Sequence, residues 1–294
     1  MVEQLGLFPE CKTTEAALLP WQAEAGGLDE AFAACPHLRE RRQVMALFAA
    51  IGRFAQYSPL NGCLLFLQSP SATRVATAAH WRRRHGRSIK PGARPLAILA
   101  PMSPVKFVFD IADTQGPDKP PEAPGTPRSS LSQILLRTVD HCAQLAIAVK
   151  QTPLPGANAG FAAPLTVHNR HHHEGLDPRS AYLVVLNADQ SSESRFSALA
   201  GHLGQIFCGH HGIDTDAWWS DRRTISRRQA ELEAAATAEL VCRRRGLESA
   251  AGKVFAAAPE PVLPVFSLTA VFQAVAAIEQ MGRANRKRPG GTGQ

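Results

Sequence analysis

Aromatic residues are scarce: 6% of the 294-residue chain, with only two tyrosines, which argues against a broad platform of stacked rings. The six cysteines, Cys11, Cys35, Cys63, Cys142, Cys208 and Cys242, include no Cys-x-x-Cys pair. A zinc ribbon and a disulfide framework are thereby disfavoured, and buried, reduced thiols are expected. No apolar run approaches the roughly 20 residues needed to span a bilayer. The first ten residues, MVEQLGLFPE, show no basic segment followed by an apolar one, so the expectation is a cytoplasmic protein without a membrane partner. With 45% hydrophobic and 19% charged residues, the chain has the balance of a soluble globular protein long enough for two modest domains.

Negative charge is also in short supply. Lys and Arg number 32 against 25 Asp and Glu, for a formal net charge of +7 and a pI near 9.4. The cations fall in clusters at 39–42, 81–90, 222–228, 243–245 and 283–288. A solvated helix face explains any one of them, but five together favour a polyanionic partner and point to nucleic acid.

Periodicity organises the chain. Val44, Leu47, Phe48, Ile51 and Phe54 recur at three and four residues and predict an amphipathic helix over 38–57. A second apolar helix is expected over 61–68 and a third, Ala-rich, over 71–85. Residues 95–100 and 105–109 read as two short strands separated by a Pro-containing turn. GPDKPPEAPGTP, residues 116–127, holds neither helix nor central strand. The expected organisation is α+β with two domains: an N-terminal extension at 1–36, a first domain at 37–116, a linker at 117–128, a second domain at 129–283 and a basic, disordered tail at 284–294.

Four segments carry a resemblance when taken in order: VVLNAD at 184–189, FSALAGHLGQIFCGH at 196–210, ELEAAATAELVCRRRGL at 231–247 and SLTAVFQAVAAIEQMGR at 267–283. Together they resemble the zincin-type metallopeptidase domain of ArdC-like antirestriction proteins, distantly similar to the ImmA/IrrE peptidases. Working sites of this kind are written His-Glu-x-x-His, because residues four apart lie on one helix face and both imidazoles reach one Zn²⁺, while the Glu deprotonates the zinc-bound water. In the register the resemblance sets, Gly201, His202 and Gln205 stand at the first ligand, the base and the second ligand. Glu233 stands at the third ligand. One ligand of three is kept, which implies no bound metal, no cofactor and no peptidase activity. A rescue through His210 and Asp214 meets Gly212, which breaks the helix that would align them. Two alternatives stay open: a zinc peptidase using displaced ligands such as His202 with Glu233, and a pseudo-peptidase whose groove binds a peptide or regulatory protein.

The first half carries a second resemblance. YSPLNGCLLFLQ at 57–68, ATRVATAAHWRRRHGRSIKPGARPLAILAP at 72–101 and FVFDIADTQG at 107–116 are similar, in unbroken order, to the N-terminal single-stranded-DNA-binding domain of ArdC-like proteins. Single strands are held by cations along the phosphates and by aromatic faces under the bases. Tyr57, Asn61, Trp81, Arg82, Arg83, Arg84, Arg87 and Lys90 are the expected contacts, mostly to phosphate. Trp81 is equally suited to stacking on a base and to anchoring its helix in a core. The resemblance implies a single-stranded-DNA-binding, catalytically inactive relative of bacterial antirestriction proteins from mobile genetic elements. Its partners would be DNA and a defence-system protein.

Other features are read more plainly. His168, His171, His172, His173 and Glu174 form a His-rich loop whose adjacent residues do not converge as a tetrahedral metal site requires. Trp218 and Trp219 are expected to pack beside a helix end, and Ser191, Ser192 and Ser194 to cap one. Gln4, Leu5, Leu7 and Phe8 resemble the pentapeptide by which bacterial proteins dock on the replication sliding clamp, with Gly6 as the departure from its usual centre.

Overall fold

The computed structural model describes residues 29–30, 32, 40–100, 103–117, 130–156, 158–166, 169–173, 175–212, 218–249, 251–257 and 266–283. The clamp-like peptide with Gln4, Leu5, Leu7 and Phe8, the tail 284–294, nearly all of the linker, His168, Glu174 and Asp214 lie outside the described residues.

Helix α1, Arg41–Arg53, buries Val44, Leu47, Phe48 and Ile51 at the expected spacing. Helix α2, Pro59–Gln68, starts where the Ser58 side chain accepts the Asn61 N–H and Pro59 fills a position that needs no donor. The third expected helix is half as long as the sequence suggests. Both backbone N–H groups of Thr73 and Arg74 donate to Asp110 Oδ1 at 2.9 Å. That carboxylate holds the chain extended as β1, Val75–Ala76, and only then does Thr77 cap α3, Ala78–His85. Gly86, at φ +61°, ends α3 in the left-handed conformation that glycine adopts without cost.

Strands β3 (Leu96–Ala100) and β4 (Ser103–Asp110) are antiparallel, with Leu96 opposite Val108 and Ala97 opposite Phe107, and β1 pairs along the other edge of β4. Two short strands, β2 (Ser88–Ile89) and β5 (Thr114–Gln115), form a separate antiparallel pair. One face of the three-stranded sheet packs Leu96, Ile98 and Val108 against Phe54, Leu65 and Val75. Alternation sends Leu99, Val105 and Phe107 to the opposite face, where all three are exposed. The free edge of β3 is covered by α2: the Asn61 amide pairs with both backbone groups of Leu99 (2.8 and 2.9 Å), and the Gln68 amide does the same with Ala97. Two side-chain amides thus take the place of a fourth strand and blunt an edge otherwise open to pairing.

Beyond the linker come α4 (Leu131–Gln144) and a sheet in the order β6-β8-β7, made of β6 (Ile147–Thr152), β7 (Gly160–Pro164) and β8 (Tyr182–Asn187). β6 runs parallel and β7 antiparallel to β8, which is buried along its whole length. Then follow α5 (Ser192–Phe207), α6 (Arg227–Arg243), the short α7 (Gly252–Ala256) and α8 (Leu268–Met281). Ser191 caps α5, as its sequence predicts. α6 is buried from Leu232 to Cys242 and is the central helix. α5 lies so close to it that a Cβ on Gly204 would sit 2.9 Å from Thr237 Cβ. The described fold is therefore mixed, with helices and small sheets in α+β fashion.

The main core does not stop at residues 117–128. Val44, Leu47, Phe48 and Ile51 of α1 join the cluster that holds Leu199, Leu240, Val271 and Val275. Arg244 ties the halves together: its guanidinium donates to the carbonyls of Ile51 (3.1 Å), Ala55 (3.1 Å) and Tyr57 (2.7 Å) and pairs with Glu279 (2.7 Å). The basic run 243–245 is accordingly structural. Arg243 pairs with Glu239 one turn back, and Arg245 lies over the Phe196 ring.

Candidate functional site

The residues that the zincin resemblance aligns do not converge. Gly201 faces α6, where a Cβ would meet Ala238 Cβ at 3.7 Å. His202 turns toward β7: its Nε2 would lie 3.3 Å from a Cβ on Gly160, and its Nδ1 is 3.2 Å from Gln205 Oε1. Burial lowers the His202 pKa, against a smaller opposing effect of the Gln205 contact. Among the described residues, the one group of His, Cys, Asp or Glu side chains placed to share a metal ion is Cys208, His210 and Glu233, whose ligand atoms lie within 4.8 Å of one another. Only Glu233 belongs to the expected set.

A backbone turn assembles this group. Cys208 follows the last residue of α5, and Gly209 at φ +78° folds the chain so closely that a Cβ there would sit 1.9 Å from the Ser220 carbonyl. The Arg222 N–H then donates to the Gly209 carbonyl at 3.0 Å, which lays Arg222 beside His210. From α6, Glu233 points into the same place and is fully buried. Arg222 grips it with both guanidinium nitrogens, at 2.6 and 2.7 Å, in the bidentate geometry that suits arginine to carboxylates. His210 Nε2 lies 2.7 Å from Oε2, and the Ser267 N–H donates to Oε1 at 2.9 Å.

The charges follow from these contacts. Burial alone pushes the Glu233 carboxyl up, but the hydrogen bonds from His210, Arg222 and Ser267 outweigh it and hold the group below the usual carboxylate range. Burial also counts against the Arg222 cation, and its bonds to Glu233 more than offset that. The Cys208 thiol is pushed well up, first by burial and then by the neighbouring carboxylate, so at neutral pH it keeps its proton. A buried carboxylate without a cation is costly. Arg222 supplies that positive charge.

A cleft of ≈ 200 Å³ opens beside this group, lined by Cys208 and Arg222 together with Asp29, Trp219, Ser267 and Gln273. Asp29 caps α8, accepting from the Thr269 N–H (3.0 Å) and hydroxyl (2.9 Å) and from Ser267 Oγ. Trp219 is buried against Phe207 while Trp218 is half exposed, so the pair packs at the helix end as expected.

The residues expected to touch DNA divide into two sets. Arg82, Arg83, Arg84 and Lys90 are exposed. Lys90 is oriented by the Ala112 carbonyl, 2.8 Å from its Nζ. The others are structural. Trp81 is 0% exposed and its indole N–H donates to the Phe109 carbonyl at 2.9 Å, so no ring face is free to stack on a base. Arg87 is buried, bonded to Thr114 Oγ1 (2.7 Å), the Thr114 carbonyl and the Pro117 carbonyl. Asn61 is spent on the edge of β3, and the half-buried Tyr57 donates its hydroxyl to the Val75 carbonyl at 3.0 Å. Trp81→Phe is therefore expected to lower stability by about 1–3 kcal/mol, the cost of leaving the Phe109 carbonyl unpaired, with no change in affinity for single strands. Denaturant unfolding and oligonucleotide titration of the same sample check this, and a folded variant that loses affinity would return Trp81 to the binding face.

Phe107 carries no signal in the sequence that marks it for a site. It is 58% exposed on the outer face of β4, beside Leu99 and Val105. Trp81 fastens α3 to β4 at Phe109, two residues along, and Lys90 is fastened just past the end of β4. The helix of Arg82, Arg83 and Arg84 is thereby fastened to the strand that carries the exposed ring, and Lys90 to the segment that follows it. Arg94 and Lys106 are exposed on the approach to β3 and on β4. The only acidic residues from 69 to 117 are Asp110, buried under the Thr73 and Arg74 amides, and Asp113.

Comparison with protein-family models and with curated proteins finds no match. Among solved structures, the chain is similar to a Mn(II)-bound crystal structure of the antirestriction ArdC protein from the R388 plasmid, at 12% identity and a TM-score of 0.38, covering 83% of this chain and 98% of that one. The overlay is loose. No helix among the described residues is long and apolar enough to cross a membrane.

Proposed function

We propose that this protein binds single-stranded DNA through α3 and the outer face of β4, and that its α5–α6 region performs no peptide hydrolysis. The observation that carries the reading is the exposed run Arg82, Arg83 and Arg84 on a helix whose Trp81 is fastened to the Phe109 carbonyl of β4, the strand that also carries the exposed Phe107 ring. Cations that follow a phosphate backbone and a ring on which a base stacks are the two elements of sequence-tolerant single-strand binding. One exposed ring among several cations favours contacts dominated by phosphate. The inactive half of the reading rests on Glu233, whose two oxygens are engaged by Arg222, and on the absence of His-Glu-x-x-His chemistry at Gly201, His202 and Gln205. The two halves of the chain act as separate functional units on either side of 117–128 while sharing one core. The role is that of an antirestriction protein acting by occupation of DNA or of a defence protein.

The test is a titration of a fluorescent oligothymidine, with a duplex of equal length as competitor. Binding to the single strand is expected to weaken with salt by a slope of roughly 0.7 per phosphate engaged, and Phe107→Ala to cost about 1–3 kcal/mol. A parent protein that ignores the single strand at low salt, or prefers the duplex, overturns the reading.

A further inference from the structure

We infer that Cys208, His210 and Glu233 form a divalent-cation site of sulfur, nitrogen and oxygen donors that Arg222 keeps closed. The inference is independent of DNA binding. Three different donor types approach one point, with ligand atoms within 4.8 Å of one another. Bond lengths of about 2.0–2.3 Å around a tetrahedral zinc place its ligand atoms roughly 3.5 Å apart, so a small inward shift of these side chains completes the geometry. Cysteine, histidine and carboxylate are the donors that zinc and cobalt(II) accept.

Two observations support a second occupant. His210 Nδ1 is buried and has no hydrogen-bond partner among the described residues, whereas buried polar atoms are nearly always paired. The residue blocking the site is also its most accessible member: the side chains of Glu233 and His210 are 0% and 5% exposed, that of Arg222 is 21%. Arg222 lines the cleft, as does Cys208, so withdrawal of one side chain opens a path from solvent to all three donors. Guanidinium and metal ion satisfy the same carboxylate and exclude each other. Entry of the ion releases the Cys208 thiol proton to solvent as the sulfur–metal bond forms, and turns Arg222 outward.

Cobalt(II) titration tests this, because a cysteine–cobalt bond gives a thiolate-to-metal charge-transfer band that imidazole binding at His171, His172 or His173 does not. The parent protein is expected to show no such band at equimolar cobalt. Arg222→Gln, which leaves Glu233 a neutral partner, is expected to show the band saturating at one cobalt per chain with a raised melting temperature, and Arg222→Gln with Cys208→Ser to lose it. Should Arg222→Gln be unfolded alone, cobalt is expected to fold it and produce the band. The inference is overturned by a folded Arg222→Gln without the band, by a variant that cobalt fails to fold, or by a parent that binds cobalt through the thiolate as tightly as the variant.

Discussion

Arg244→Ala is expected to lower the free energy of unfolding by about 3–5 kcal/mol, the range found when one partner of a buried ion pair is removed. Five hydrogen bonds disappear with the guanidinium: two to Glu279 and one each to the carbonyls of Ile51, Ala55 and Tyr57. Those carbonyls close the end of α1, where a cation is also favoured by the helix dipole. The side chain is 1% exposed, so solvent screens these bonds little. Arg244→Lys should recover only part of the stability, because a single ammonium cannot serve a forked set of acceptors. Denaturant unfolding measures both, and a decrease under about 1 kcal/mol would show that the buried network does little to join α1 to the second half.

The largest expected effect on binding comes from neutralising Arg82, Arg83 and Arg84 together. None of the three is buried, so the substitutions should leave the fold intact. If each meets one phosphate, the slope of log affinity against log salt falls by roughly 0.7 for each phosphate no longer neutralised, or about 2 for the three. The weakening should be uniform across base sequences, since bonds to phosphate carry no sequence information. A folded triple variant with the parent's slope would remove α3 from the binding face.

Much of the fold was legible because the determining signals are local. The three-and-four spacing from Val44 to Ile51, Pro59 behind Ser58 and the run of serines before α5 each fix an element with residues a few positions apart. What could not be read depends on partners far along the chain. Residues 71–85 look like one helix until Asp110, 36 and 37 positions away, claims the Arg74 and Thr73 amides. Trp81 beside three arginines has the composition of a DNA-binding surface, and only the Phe109 carbonyl reveals it as an anchor. Phe107 alternates with Val108 in the sequence, but which of the two faces outward depends on Phe54, just past α1, and Leu65 of α2 beneath the sheet.

The surroundings of Glu233 show the same division. That Gly201, His202 and Gln205 stand where the resemblance expects zinc ligands and a base, and Glu233 where it expects the third ligand, is visible in the sequence. A buried carboxylate needs a cation, but the burial of Glu233 is seen only in the fold. Arg222 stood among residues 222–228 as one more basic residue for a polyanion, and His210 as a ligand candidate with Asp214 that Gly212 set aside. The turn at Gly209 brings both to Glu233.

The central claim is where the strand lies, and photocrosslinking of an iodouridine-substituted single strand to the full chain tests it most directly. The account predicts crosslinked peptides from α3 and β4, with Phe107 as the principal site and the yield abolished in Phe107→Ala. Crosslinks confined to the α5–α6 cleft around Trp219, with none in residues 78–110, would contradict it.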